Sequence, residues 1–173
     1  MGCGASSPAG AASSSSGAAA IPPPPPGSDA AVLAQMRQQS PALAKAWPAS
    51  ADPGKWQGVT MKGGAKVTAL NLSGVPLKTL PAATAALKNL EILELRGCGL
   101  AAVPADVWRL PKLGRVDLKE NALAAIPPEV EGAKALRVLD MRGNKIATSS
   151  KKLQIALEDK KVKLEVDANV AFA

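Results

Sequence analysis

Residues 90–104 read LEILELRGCGLAAVP, and residues 113–127 read LGRVDLKENALAAIP. Laid over one another, they share aliphatic residues at positions one, four, six, eleven and fourteen, then a proline. The same frame opens upstream at Val67 (VTALNLSGVPLKTLP) and downstream at Leu136 (LRVLDMRGNKIATSS). The four starts, 67, 90, 113 and 136, are evenly spaced by 23 residues, which is an internal repeat. Within each unit the L-x-L centre alternates as a strand does, with leucines on one side and the intervening residues on the other. One unit cannot bury its leucine face alone, so neighbours must stack, with parallel strands forming one wall of an arc. Pro81, Pro104 and Pro127 turn the chain into the outer wall, where the LKNL and VWRL pieces are expected to form short helical turns. At the ninth position Asn121 and Asn144 are expected to hydrogen-bond the turning backbone, while Val75 and Cys98 fill the same slot as small apolar groups.

These units follow L-x-x-L-x-L-x-x-N/C-x-L-x-x-L/I-P, and about half the chain thereby resembles the leucine-rich-repeat family. The resemblance implies an α/β fold: a short solenoid with a curved parallel sheet and an irregular or helical outer wall. It also implies protein binding. A solenoid this short exposes two raw ends and needs caps. The expected division is a tether over 1–28, an N-terminal cap over 29–66, the repeats over 67–150 and a C-terminal cap over 151–173.

In the C-terminal cap, KKLQIALEDKK is expected to form a helix with Leu153, Ala156 and Leu157 inward. VKLEV then reads as a closing strand with Val162, Leu164 and Val166 on one face. In the N-terminal cap, Ser28 or Asp29 starts a helix through Ala30–Gln39 that presents Val32, Leu33 and Met36. Ser40-Pro41 interrupts it, a second turn runs through Ala42–Trp47, and AWPASADPGKWQGVT reads as a loop anchored by Trp47 and Trp56. Residues 29–61 are also similar to the cap of plant-type leucine-rich-repeat proteins, W…D-P-C-x-W-x-G-V-x-C. Asp29, Leu33, Trp47, Asp52, Pro53, Trp56, Gly58, Val59 and Thr60 carry that similarity, but Gly54 and Met61 stand where the two cysteines would be. The cap disulfide of the family is therefore absent, which points to a reducing compartment. The repeat length and plain L-P ending are closer to intracellular repeat proteins than to plant receptors.

Composition excludes much chemistry. The 173 residues contain no His, so Ser-His-Asp and Cys-His catalysis and His-ligated zinc are unavailable. Two cysteines cannot build a four-thiolate metal site. No catalytic, cofactor-binding or metal residues are expected, and an enzyme is not. No run reaches the ~18 consecutive apolar residues of a bilayer-spanning helix. The net charge of +7 is carried outside residues 1–28, since every Lys and Arg lies between Arg37 and Lys163.

The first 28 residues are almost wholly Gly, Ala, Ser and Pro, a composition that cannot offset chain entropy by burial, so they are expected to form a disordered tether. Pro22–Pro26 reads as a polyproline II segment, either a stiff spacer or a ligand for a polyproline-binding domain. Met1-Gly2-Cys3-Gly4-Ala5-Ser6 fits the N-myristoylation pattern at Gly2, with Cys3 placed for S-palmitoylation. One myristoyl chain binds a membrane marginally and a second makes the anchor stable. Membrane lipid is thus an expected partner, on the cytoplasmic face of a membrane in a eukaryotic cell.

The concave positions of the sheet are the expected protein-binding face. They are Ala69, Ile92, Arg115 and Val138 in the third column, Asn71, Glu94, Asp117 and Asp140 in the fifth, and Ser73, Arg96, Lys119 and Arg142 in the seventh. The last three repeats thereby set an acidic column beside a basic one, either a self-neutralised solvated face or a striped docking surface. Nucleic acid is not expected as a partner, because Phe172 and three Trp are the only aromatic residues. Lys151, Lys152, Lys160, Lys161 and Lys163 form a candidate contact for acidic lipid, diluted by Glu158, Asp159, Glu165 and Asp167. The expected function is a membrane-anchored, monomeric protein-recognition module or adaptor in signalling or scaffolding. The alternative is a soluble cytosolic regulatory subunit of an enzyme.

Overall fold

A short strand forms around the first aliphatic residue of each L-x-L centre in the computed structural model, which describes residues 25–172. These are β2 (Lys66–Asn71), β3 (Ile92–Glu94), β4 (Arg115–Asp117) and β5 (Val138–Asp140), all parallel. Their register repeats the sequence period: Leu70 lies beside Leu93, Leu93 beside Val116 and Val116 beside Leu139. All four units bury positions one, four, six and eleven, and Leu80, Val103 and Ile126 are buried at position fourteen. A strand of three residues gains little from its own ladder, so the stacked aliphatic rows hold the sheet together. This is a short leucine-rich-repeat solenoid.

The outer wall differs in detail from expectation. The short helical turns begin directly after the prolines, as 3-10 segments over Ala82–Ala86, Ala105–Arg109 and Pro128–Gly132. LKNL therefore follows the first turn instead of forming it. Proline's fixed φ presets the chain for this entry, and Thr84, Val107 and Val130 plug each turn into the core. Trp108 is fully buried in this wall, and its indole N–H has no hydrogen-bond partner among the described residues.

At the N-terminal end, α1 (Asp29–Gln39) is capped by Ser28 and α2 (Pro41–Ala46) by Ser40, whose hydroxyls accept from Ala31 N and Leu43 N. Leu33, Met36 and Leu43 are buried. The stretch read as a loop holds more structure than expected. It contains a 3-10 turn over Pro53–Lys55 and the strand β1 (Val59–Lys62), which pairs antiparallel with β2. That hairpin covers the first raw edge of the sheet. Gly58, at φ +80°, sits so close to β2 that a Cβ there would lie 1.8 Å from Asn71 O. Trp47 and Trp56 stack with centroids 4.9 Å apart, and their indole N–H groups donate to Gln57 O and Pro48 O. Gly54 and Met61, the two positions without cysteine, are neighbours: a Cβ at Gly54 would meet Met61 Sδ at 2.8 Å.

At the other end, β6 (Thr148–Ser149) leads into α3 (Lys151–Asp159), which buries Leu153 and Leu157. β7 (Lys163–Glu165) then extends the parallel sheet beyond β5, and β8 (Ala171–Phe172) pairs with β6. The sheet order is β1-β2-β3-β4-β5-β7. No helix among the described residues is long and apolar enough to cross a membrane. Gly2, Cys3 and Pro22–Pro24 lie outside the described residues.

Candidate functional site

Parallel in-register pairing brings the concave side chains into columns. Ala69, Ile92, Arg115, Val138 and Lys163 align in one, and Asn71, Glu94, Asp117, Asp140 and Glu165 in the next. β7 thus adds a member to each that the repeat frame did not include. Four carboxylates at strand spacings of ~4.8 Å would repel one another in isolation. The seventh column resolves this. Lys119 Nζ lies 2.8 Å from Asp140 and 3.7 Å from Asp117, bridging two strands. Arg142 lies 2.7 Å from Asp140 and 2.6 Å from Glu165. Arg96 turns away from the acidic column to Glu120, 2.5 Å distant.

Asp140 corrects the expectation of a uniformly solvated face. It is only 6% exposed, because Lys119 and Arg142 close over it. Burial alone would raise its carboxyl, but hydrogen bonds from Arg142 and Lys119 outweigh burial and hold it well below the ordinary carboxylate value. Arg142 and Lys119 are raised in turn, chiefly by their hydrogen bonds to Asp140. Asp140 also accepts from Arg142 N at 3.3 Å, pinning the strand end. It is a keystone of the charge network and offers little surface of its own.

The third column is different. Arg115 is exposed and makes no ion pair among the described residues, and Ile92 is 37% exposed on the neighbouring strand. Val138 and Ala69 are half-buried around them. Glu94 is partly engaged, accepting from Asn71 Nδ2 at 2.6 Å. In the third column the free groups are therefore an aliphatic side chain beside a guanidinium, flanked by a neutralised charge network.

The ninth-position ladder lies behind the face. Asn121 Oδ1 accepts from Cys98 N and Leu100 N at 3.1 and 3.0 Å, and its amide donates to Leu95 O at 2.8 Å. Asn144 accepts from Leu123 N and donates to Leu118 O and Met141 O. Cys98 is buried, and burial pushes its thiol up to about 11. Beyond plain packing, its Sγ donates to Leu72 O at 3.1 Å.

The lysine cluster expected near the C-terminus is not one patch. Nine-residue α3 separates Lys151 and Lys152 from Lys160 and Lys161 by ~13 Å. Lys163 stands on the concave face, paired with Glu165 at 2.6 Å.

No protein-family profile matches the sequence, and no curated protein matches it. Solved structures share its architecture. The BIR3–SERK2 complex from Arabidopsis thaliana matches at TM-score 0.61 and 21% identity, over 80% of this chain and 79% of that one. The BIR2 ectodomain from Arabidopsis thaliana matches at TM-score 0.60 and 20% identity, over 75% and 74%. The fold is that of leucine-rich-repeat proteins. A leucine-rich-repeat protein of Leptospira interrogans is 35% identical over 56% of this chain, at TM-score 0.45. This chain spans 24% of that protein's length.

Proposed function

We propose that this chain is a non-catalytic protein-recognition module that binds its partner on the concave face, centred on Ile92 and Arg115 and bordered by Val138. The observation that carries the reading is the contrast between columns: Asp117, Asp140, Lys119 and Arg142 neutralise one another, while Ile92 and Arg115 stand exposed and uncommitted. An arginine beside an aliphatic residue on a rigid sheet suits the centre of an interface, where Arg is enriched and preorganisation limits the entropy cost. The charge network then serves as a rim that governs encounter rate and partner choice. Among fold neighbours, BIR3 is complexed with SERK2.

The second element of the proposal is an anchor. Gly2 and Cys3 supply acceptors for myristate and palmitate, which would hold the module on the cytoplasmic face of a membrane in signalling or scaffolding. The competing reading is a soluble cytosolic regulatory subunit. Membrane fractionation separates them: Gly2→Ala should move the protein from the pellet to the cytosol, and Cys3→Ser should leave only transient binding. A Gly2→Ala protein that stays wholly in the pellet rejects the acyl anchor.

Affinity capture from native membranes, repeated with Ile92→Asp/Arg115→Glu, tests the face. A partner held by the wild type should be lost by this variant and kept by Asp106→Lys/Arg109→Asp on the outer wall. Equal recovery by both variants would place recognition elsewhere.

A further inference from the structure

The edge of the sheet where the strands begin carries a row of bases that the charge network does not reach. Lys62 ends β1, Lys66 opens β2, and Lys88, Lys112, Lys134 and Arg137 lead into the strands that follow. Repeat-to-repeat hydrogen bonds from Glu91 N to Thr68 O, Gly114 N to Glu91 O and Arg137 N to Gly114 O keep this edge in line. All six basic residues are exposed, and none makes an ion pair among the described residues. At the opposite edge, by contrast, Arg96, Lys119 and Arg142 are each paired. Glu91 lines the same edge as Lys62, Lys66 and Lys112, Glu131 stands three residues before Lys134, and Asp29 is engaged as acceptor for Val67 N at 2.7 Å. Lys62, Lys66 and Lys112 also line a shallow cavity of about 390 Å³, where Lys112 Nζ donates to Asn89 at 3.0 Å.

We infer that this edge docks on an anionic phospholipid surface. Two observations favour a bilayer. The first is where the tether joins the fold. Asp29 opens α1 and is bonded to Val67, next to Lys66, so the chain running from Gly2 and Cys3 enters the fold beside the basic row. The second is chemical: Trp47, Trp56 and Trp108 are buried, so the edge has no indole on which nucleobases could stack. Cations without ion-pair partners along one edge suit a surface of spread negative charge, which asks for no register. The choice of a bilayer rests on the acyl-anchor reading. In that arrangement the lipid chains supply residence, and the basic edge sets orientation, leaving the concave face clear of the bilayer.

The test uses the full chain without its acyl groups, as Gly2→Ala, sedimented with vesicles of phosphatidylcholine alone or with ~30% phosphatidylserine. The expected result is pelleting with the phosphatidylserine vesicles, weakening as salt rises, and none with phosphatidylcholine. Lys112→Glu/Arg137→Glu should lower partitioning by about 25-fold or more, at about fivefold per basic residue lost. Arg109→Glu/Lys145→Glu carries the same net charge, lies off this edge and should lose much less. Equal losses in the two variants, or equal binding to both vesicle types, overturn the inference. So does a chain that ignores phosphatidylserine vesicles yet retains an oligonucleotide. Because the protein is unacylated, failure here leaves the anchor untouched, and fractionation of Gly2→Ala in cells tests the anchor separately.

Discussion

The thiol of Cys98 and the carboxamide of Asn121 make the same hydrogen bond one repeat apart. Cys98 Sγ donates to Leu72 O, and Asn121 Nδ2 donates to Leu95 O. Their remaining duties differ. Asn121 also accepts from Cys98 N and Leu100 N, whereas Leu72 O keeps a second donor in Val75 N. Asn121→Ala should therefore leave buried donors unpaired and cost about 2–4 kcal/mol, while Cys98→Val should cost less than about 1.5 kcal/mol. Urea denaturation midpoints check the order, and a reversed order would mean the ladder does not stabilise the stack.

The same burial governs Cys98 reactivity. A thiol pushed up to about 11 remains protonated at neutral and mildly alkaline pH. On a Cys3→Ser background, a thiol reagent should label the native protein only as fast as it opens, and immediately in denaturant. Rapid native labelling would place Cys98 at the surface.

Acid should weaken the fold through Asp140. Its carboxyl is held low in the folded state and returns to about 3.9 when unfolded. The unfolded chain therefore takes up the proton first. The contribution is complete at neutral pH and lost as pH falls through the folded value. Asp140→Asn should be less stable than wild type at neutral pH, by about 1–3 kcal/mol, and the gap should close on acidification. Denaturation curves for the two proteins that run parallel across acid pH would show that the carboxylate is not the cause.

Leu95 and Leu118 are fully buried at the sixth position of adjacent repeats. Either one changed to Ala should cost about 2–5 kcal/mol. Because each unit is stabilised chiefly by its neighbours, hydrogen exchange should rise on both sides of the altered repeat. An unmoved midpoint for Leu118→Ala would contradict the packing.

What the sequence revealed follows from where each interaction is encoded. The rows through Leu70, Leu93, Val116 and Leu139 were legible because one period fixes both spacing and burial. β1 was missed because Val59–Lys62 is a half-buried strand whose partner, β2, decides its conformation. The columns of the concave face were legible, but the burial of Asp140 was not. It depends on Lys119 reaching across from the neighbouring strand and on Arg142 folding back over its own. The basic edge was illegible for a related reason: its members are scattered from Lys62 to Arg137 and meet only when the repeats stack. The converse holds for Lys151–Lys163, close in sequence and parted by a helix.

The stacked indoles of the cap have an optical consequence. Trp47 and Trp56 lie 4.9 Å apart with ring planes 13° from parallel, close enough for their excited states to couple. Trp108 stands apart in the outer wall of the second repeat. Circular dichroism from the coupled pair is therefore a signal of the cap alone, while Trp108 reports on the repeats. Heating one unlabelled sample and following both bands would reveal whether the cap peels away first or the stack melts as a unit.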